Sequence, residues 1–398
     1  MNKDLIIRWM EEMMTELNDI RKFWSEYMID NRYGGFLPGM NTLRRVDVTG
    51  EKGVVLNSRI LWAFSALAIH YDPACRPMAE RAFIYLQEFF LDRDNGGYYW
   101  SVTFDGKPCQ TRKQVYAQAF VLYGLAEYYS LTLDPAVLNL ARDLFELMEH
   151  RGPDPVTGGY TEAFTEDWRS LSDWRLSKKD LNEPLSVNTH LHVLEAYTSL
   201  YRISPDKSVL DAIGRLHRLF EAHFLKPDGH LNLFFNARWE PVGNLISFGH
   251  DIETTWLLWQ SVEGLSLFPQ PVRINNWIRL AGRTFLEEAL LPDGSSRYET
   301  DPTTGHDDRD RHWWVQAEGM IGLLNAYNIE KDPRYLEASW QLWNYIITNL
   351  KDPLTGEWYW RIDRDGNWLP GDSLAGFWKC PYHNTRACLE GIKRLSIL

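Results

Sequence analysis

Six glycine-centred turns at nearly even spacing constrain this chain more than any other feature. They read "NRYGGFLPG" from 31, "RDNGGYYWS" from 93, "PVTGGYTEA" from 155, "KPDGHLNLF" from 226, "LPDGSSRYE" from 291 and "PLTGEWYWR" from 353. Aligning Gly35, Gly97, Gly159, Gly229, Gly294 and Gly356 gives steps of 62, 62, 70, 65 and 62 residues. A constant period of this kind marks an array or a closed ring of one supersecondary unit.

Each unit reads alike. An amphipathic helix precedes the glycine, as in "PMAERAFIYLQEFFLD" and "DPRYLEASWQLWNYIITNL". Short alternating stretches follow it, such as "YYWSVTF" and "EWYWRID", often closed by Asp-Gly, which predicts a hairpin. A second helix, richer in small residues, ends the unit: "LNSRILWAFSALAIHY", "QVYAQAFVLYGLAEYY", "HDIETTWLLWQSVEGL" or "HWWVQAEGMIGLLNAY". Small residues suit an inner layer and charged or bulky ones an outer layer. Two helices in each of six units predict an all-α fold, an (α/α)6 barrel of twelve helices with short β-hairpins at its mouth. Neither end reads as the polar capping repeat an open superhelix needs, which favours closure. No linker or shift in composition divides residues 1–398, so one catalytic domain is expected.

Polar residues gather where the hairpins feed the inner helices. Asn57 and Arg59 open the first, Tyr116 the second, Asn188, His190 and His192 the third, and His250 and Glu253 the fourth. Trp313 and Trp314 open the fifth, and His383 lies in the first turn of the sixth. In "SVNTHLHVLEAY" the two histidines are two residues apart, so on a helix they point nearly opposite ways. Asn188, Glu195, Ala196 and Ser199 share the face of His192 and are polar or small. Val193, Leu194 and Tyr197 share the face of His190 and are apolar. His192 is therefore expected to face a cavity and His190 to pack between helices. Glu253 and Thr254, one turn after His250, are placed to orient that imidazole or raise its pKa.

Several function classes are disfavoured. The net charge is -12, which argues against a nucleic-acid partner. There is no apolar run long enough to span a membrane, and "MNKDLIIRWMEEMM" lacks the pattern of a signal peptide, so a cytoplasmic location is expected. Cys75, Cys109, Cys380 and Cys388 show no zinc spacing and read as buried reduced thiols. No phosphate-binding glycine loop or HExxH occurs, which leaves a nucleotide or a metal centre without a motif. The 18 tryptophans fit either a large aromatic core or a sugar site, where indoles stack on pyranose faces.

Two chemistries remain open. A glycoside hydrolase needs two inward carboxylates astride the bond, and Asp180, Glu195, Asp251, Glu253, Asp310 and Glu318 are the candidates. Histidine proton transfer beside a sugar carbonyl fits the mouth residues better. Two imidazoles on different helices could take a proton from one side of a carbon and return one to the other, with Arg59 stabilising the enolate oxygen.

"LNSRILWAFSA", "VYAQAF", "NTHLHVLEAYTSLYR", "SFGHDIETTWLL", "DRHWWVQAEGMIGLLNAY" and "FWKCPYHNTRACLEGIKRL", in that order, resemble the N-acylglucosamine 2-epimerase superfamily, most closely its cellobiose 2-epimerase branch. The resemblance runs from about residue 20 to the C-terminus. It implies the same (α/α)6 barrel, and a small sugar as partner with no cofactor. It implies that His250 and His383 form the general acid–base pair acting at C2 through a cis-enediol, that His192 contacts the substrate, and that Arg59 lies near the reacting carbonyl. By the same resemblance Tyr116, Asn188 and Glu253 bind sugar, Trp314 and Trp378 are sugar platforms, and Asp180 lies near the distal sugar. A mannose-to-fructose isomerase is the nearest alternative it leaves.

Overall fold

The computed structural model of the chain describes residues 3–263 and 272–398. The last two residues of the stretch "HDIETTWLLWQSVEGL" and the first two of the chain lie outside them. Among the described residues there are twelve α-helices: α1 (Lys3–Tyr27), α2 (Val54–His70), α3 (Arg76–Tyr85), α4 (Val115–Thr132), α5 (Pro135–Arg151), α6 (Val187–Ile203), α7 (Lys207–Leu219), α8 (Phe248–Glu263), α9 (Val272–Thr284), α10 (Trp313–Glu330), α11 (Pro333–Tyr345) and α12 (Tyr382–Leu395).

The even-numbered helices form the inner ring. Along it α2 packs on α4, α4 on α6, α6 on α8, α8 on α10 and α10 on α12, and α12 returns to α2. The ring is closed: an (α/α)6 barrel. Inner helices are buried nearly all round, which is why α2, α4 and α10 carry apolar or small residues on every face. Outer helices bury one stripe; in α7 it is Val209, Ala212, Ile213 and Leu216. Their starts are written locally. Asp72, Asp134 and Asp332 each cap with a side-chain bond from a backbone N–H and precede a proline. Four outer helices continue into a π-helical turn (Leu86–Phe90, Phe220–Phe224, Phe285–Ala289, Ile346–Leu350), a widening that sequence periodicity does not announce.

The glycine turns differ from expectation by one residue in half the units. Each turn is closed by a bridge: Ile29 to Phe36, Leu91 to Tyr98, Pro153 to Tyr160, Leu225 to Leu231, Leu290 to Ser296 and Lys351 to Trp358. Counting two residues back from the second partner aligns Gly34, Gly96, Gly158, Gly229, Gly294 and Gly356. All six have positive φ, whereas Gly159 does not. Glycine is needed there because a Cβ disfavours that backbone region.

What docks four of the six turns onto the barrel is a side chain from the first turn of an inner helix. Tyr98 N donates to Gln118 (2.8 Å), Tyr160 N to His190 Nε2 (2.9 Å), Leu231 N to Asp251 (3.0 Å) and Ser296 N to Gln316 (2.8 Å). These four acceptors occupy the same helical position. His190 also binds Ser186 O through Nδ1 (2.7 Å), and burial holds its pKa down to about 4. It is a neutral structural acceptor, packed between helices as its apolar face implied. His190→Gln is therefore expected to keep the fold, since glutamine does this task in two other units. His190→Leu leaves the Tyr160 N–H buried without a partner and costs about 1–3 kcal/mol, measurable by chemical denaturation.

Short strands join the units at the mouth. The Asp-Gly hairpins form as expected, for example Ser101–Val102 against Pro108–Gln110. The strands entering the inner helices also pair with the next unit, as Lys52–Gly53 does with Ser101–Val102 and Arg311–His312 with Arg361–Ile362. Buried ion pairs brace three of these junctions: Lys52–Asp30, Lys113–Asp92 and Lys379–Glu357, each at 2.7 Å. One thiol departs from expectation: Cys109 is exposed on a hairpin strand, while Cys75, Cys380 and Cys388 are buried. No described helix is long and apolar enough to cross a membrane.

Candidate active site

The N-terminal ends of the inner helices open into a cavity of about 480 Å³. Arg59, Tyr116, Asp180, Asn188, His192, His250, Glu253, Trp314, Trp378 and His383 all line it. All ten residues singled out from the sequence thus share one space, although they come from all six inner helices and two loops.

His383 is buried, and its Nδ1 bonds Glu318 Oε1 at 2.7 Å. Burial, with Arg59 and Arg386 nearby, holds its pKa well below the usual value. The ring is therefore neutral, with Nδ1–H donated to the carboxylate and Nε2 carrying the lone pair. His250 bonds Ser247 Oγ through Nδ1 (2.7 Å), and burial lowers its pKa to about 3. The expected influence of Glu253 on His250 is not observed: Glu253 turns instead to Arg386, and the pKa shift is downward because desolvation dominates. Both histidines touch one indole. The Trp314 ring centroid lies 5.0 Å from His250 and 5.8 Å from His383.

His192 faces the cavity, as its helical face implied, and its Nδ1 meets Glu195 at 2.9 Å. Its ring packs edge-on to Tyr116 at 5.1 Å. Arg59 donates to Tyr116 OH (2.7 Å) and lies over the rings of Phe120 (4.1 Å) and Tyr382 (4.7 Å). Asp180 accepts from Ser177 N (2.7 Å) in a loop over the cavity, and burial raises its pKa. Trp378 stands beside Tyr116 and Trp100, with ring centroids 6.0 and 5.8 Å away.

Beneath the histidines lies a hub that sequence reasoning did not single out. Arg386 donates to Glu195, to Glu253 (2.5 Å), to Glu318 (2.7 Å) and to Tyr382 OH, and all five side chains are buried. Three carboxylates share this one guanidinium. Burial and the neighbouring Glu318 push the Glu253 carboxyl up to about 7. Glu318 links the hub to His383, and Glu195 links it to His192. The available signal was positional: Arg386 follows His383 by three residues, on one face of α12. Also missed were Glu162, pushed up to about 8 by burial, and His312, both of which line the cavity.

The site is a cavity lined by histidines over a buried cluster of carboxyl groups, with Arg59 and several indoles at its wall, at the centre of an (α/α)6 barrel. Residues 34–387 match the family model of N-acylglucosamine 2-epimerase (GlcNAc 2-epimerase). A cellobiose 2-epimerase of Bacteroides fragilis is 40% identical over 383 residues, covering 96% of this chain and 97% of the relative. One from Dictyoglomus turgidum is 38% identical, covering 95% and 96%. The solved structure of cellobiose 2-epimerase from Spirochaeta thermophila superposes with a TM-score of 0.93 at 39% identity, covering 99% of this chain and 98% of that one. The chain belongs to the N-acylglucosamine 2-epimerase family. It is an isomerase of the sugar 2-epimerase kind.

Proposed function

We propose that residues 1–398 form one catalytic domain that interconverts glucose- and mannose-configured reducing ends of cellobiose- or lactose-type sugars, or of the free hexoses. The observation that carries this reading is the pair His250 and His383, both neutral, on different helices and against the same indole. After the sugar ring opens, one imidazole removes the C2 proton. The C2–H electrons form the C1–C2 double bond and those of the carbonyl move onto the C1 oxygen, giving a cis-enediolate (the anion of the cis-enediol) whose charge Arg59 stabilises. The other imidazole delivers a proton to the opposite face of C2, and the roles exchange in the reverse direction. Glu318 fixes the tautomer of His383 and stabilises its transient imidazolium. The Nδ1–Ser247 contact leaves Nε2 of His250 as the nitrogen for the substrate. His192, Tyr116, Asn188 and Glu253 bind hydroxyls, Trp314 and Trp378 carry the pyranose faces, and Asp180 meets the distal ring. The relatives named for cellobiose 2-epimerisation support the substrate class.

Incubation with cellobiose, lactose, mannose and glucose, with product identification, tests the reading. The C2-epimers are expected. Fructose as the main product from mannose would select the isomerase, and monosaccharides from cellobiose would select a hydrolase.

The pH profile carries a further expectation. Burial and Glu318 push the cavity-lining Glu253 carboxyl up to about 7, and only above that value does it offer a full negative charge to Arg386 and a sugar hydroxyl. Thus kcat/KM should rise through about pH 7 in the parent enzyme. The inflection should vanish in Glu253→Gln, whereas an unchanged inflection assigns it to another group.

A further inference from the structure

His312 ends the strand that enters α10 and is only 4% exposed, yet neither of its ring nitrogens has a hydrogen-bond partner. Such a group costs free energy unless something satisfies it. Its ring stacks on Tyr298 at 3.8 Å, which fixes the direction of its nitrogens. Burial, with Lys179 and Arg361 nearby, keeps it neutral and so able to donate a lone pair.

Two carboxylates converge on the same point. Single oxygens of Asp308 and Asp310 and one nitrogen of His312 lie within 4.8 Å of one another. No hydrogen bond joins the imidazole to either acid, so the three groups stand together without satisfying one another. Asp310 is held in place by Arg361 (3.0 Å) and Arg364 N (3.1 Å), and Asp308 by Asp310 N (2.9 Å). Glu299 and His306 form a second grouping that shares Asp308. By contrast, the grouping of Glu253, Glu318 and His383 is already filled by Arg386 and by the His383–Glu318 bond.

We propose that Asp308, Asp310 and His312 bind one divalent first-row transition-metal cation, a structural site at the rim of the cavity that is separate from the proton-transfer residues. Two oxygens and one imidazole suit a borderline ion such as Mn²⁺ or Zn²⁺ better than Ca²⁺. The ion ties the hairpin Glu299–Asp301/His306–Asp308 to the start of α10. That hairpin is preceded by Tyr298, and α10 carries Trp313 and Trp314, so the site braces one wall of the sugar cavity. The proposal does not depend on the sugar chemistry.

The test is calorimetric titration of the chelator-treated, untagged full chain with Mn²⁺ and, separately, Zn²⁺. One equivalent should bind and raise the thermal midpoint, since the ion favours the folded state. Asp308→Asn and His312→Phe should each weaken binding at least tenfold; the phenylalanine keeps the stack on Tyr298, and circular dichroism verifies folding. No binding by the parent chain overturns the site and leaves water as what satisfies His312. Binding undiminished in a folded Asp308→Asn variant also overturns it.

Discussion

His383→Asn and His250→Asn should each lower kcat/KM for epimerisation by on the order of 10³–10⁴-fold, with the far-ultraviolet spectrum of the parent retained. Each substitution removes one of two proton carriers, and an epimerase needs one on each face of C2. Neither histidine supports the fold. His250 makes one bond to a serine hydroxyl, and without His383 the Glu318 carboxylate keeps Arg386 and Trp256 as partners. His192→Asn should have a smaller effect, expressed mainly in KM, because His192 is assigned to binding. If one of the His250 and His383 variants keeps near-parent turnover, the two-histidine assignment is wrong.

Arg386→Met should be the most destabilising single change in the inner ring. The variant leaves Glu195, Glu253 and Glu318 buried without their common cation, and stranding a buried charge costs about 3–5 kcal/mol. The loss is read as a lower urea midpoint. Lysine should rescue little, because one ammonium cannot reproduce a planar fork that reaches three helices. Adding Glu253→Gln to Arg386→Met removes one stranded charge and should recover part of the loss. A parent-like midpoint for Arg386→Met would show that the carboxylates are satisfied in another way.

The barrel was legible because its repeat is written in local chemistry: glycine where φ is positive, Asp-Pro at three outer-helix starts, small residues inside. The register error at Gly35, Gly97 and Gly159 arose because those turns hold two adjacent glycines, and only the bridge partners tell them apart. The docking position was hidden for a different reason. Gln118, His190, Asp251 and Gln316 do one job with three residue types, so no shared letter marks it.

Within the site, helical geometry separated His192 from His190 correctly, since facing is a local property. The partners of each group were not local. Glu253 was read as an aid to His250 because it lies one turn away, but it bonds Arg386, which is 133 positions further along. Arg386 itself gathers carboxylates from α6, α8 and α10, and no window of sequence contains that set. His312 gave no pattern at all, because an unpartnered nitrogen is a property of packing.

The most direct test of the two-histidine mechanism is proton and carbon NMR of cellobiose incubated with the enzyme in deuterium oxide. The account predicts an epimer carrying close to one deuterium at C2, because the proton returned comes from a second, solvent-exchanged imidazole. An epimer that retains its original hydrogen at C2 would contradict it, since the hydrogen would then have moved without passing through either histidine.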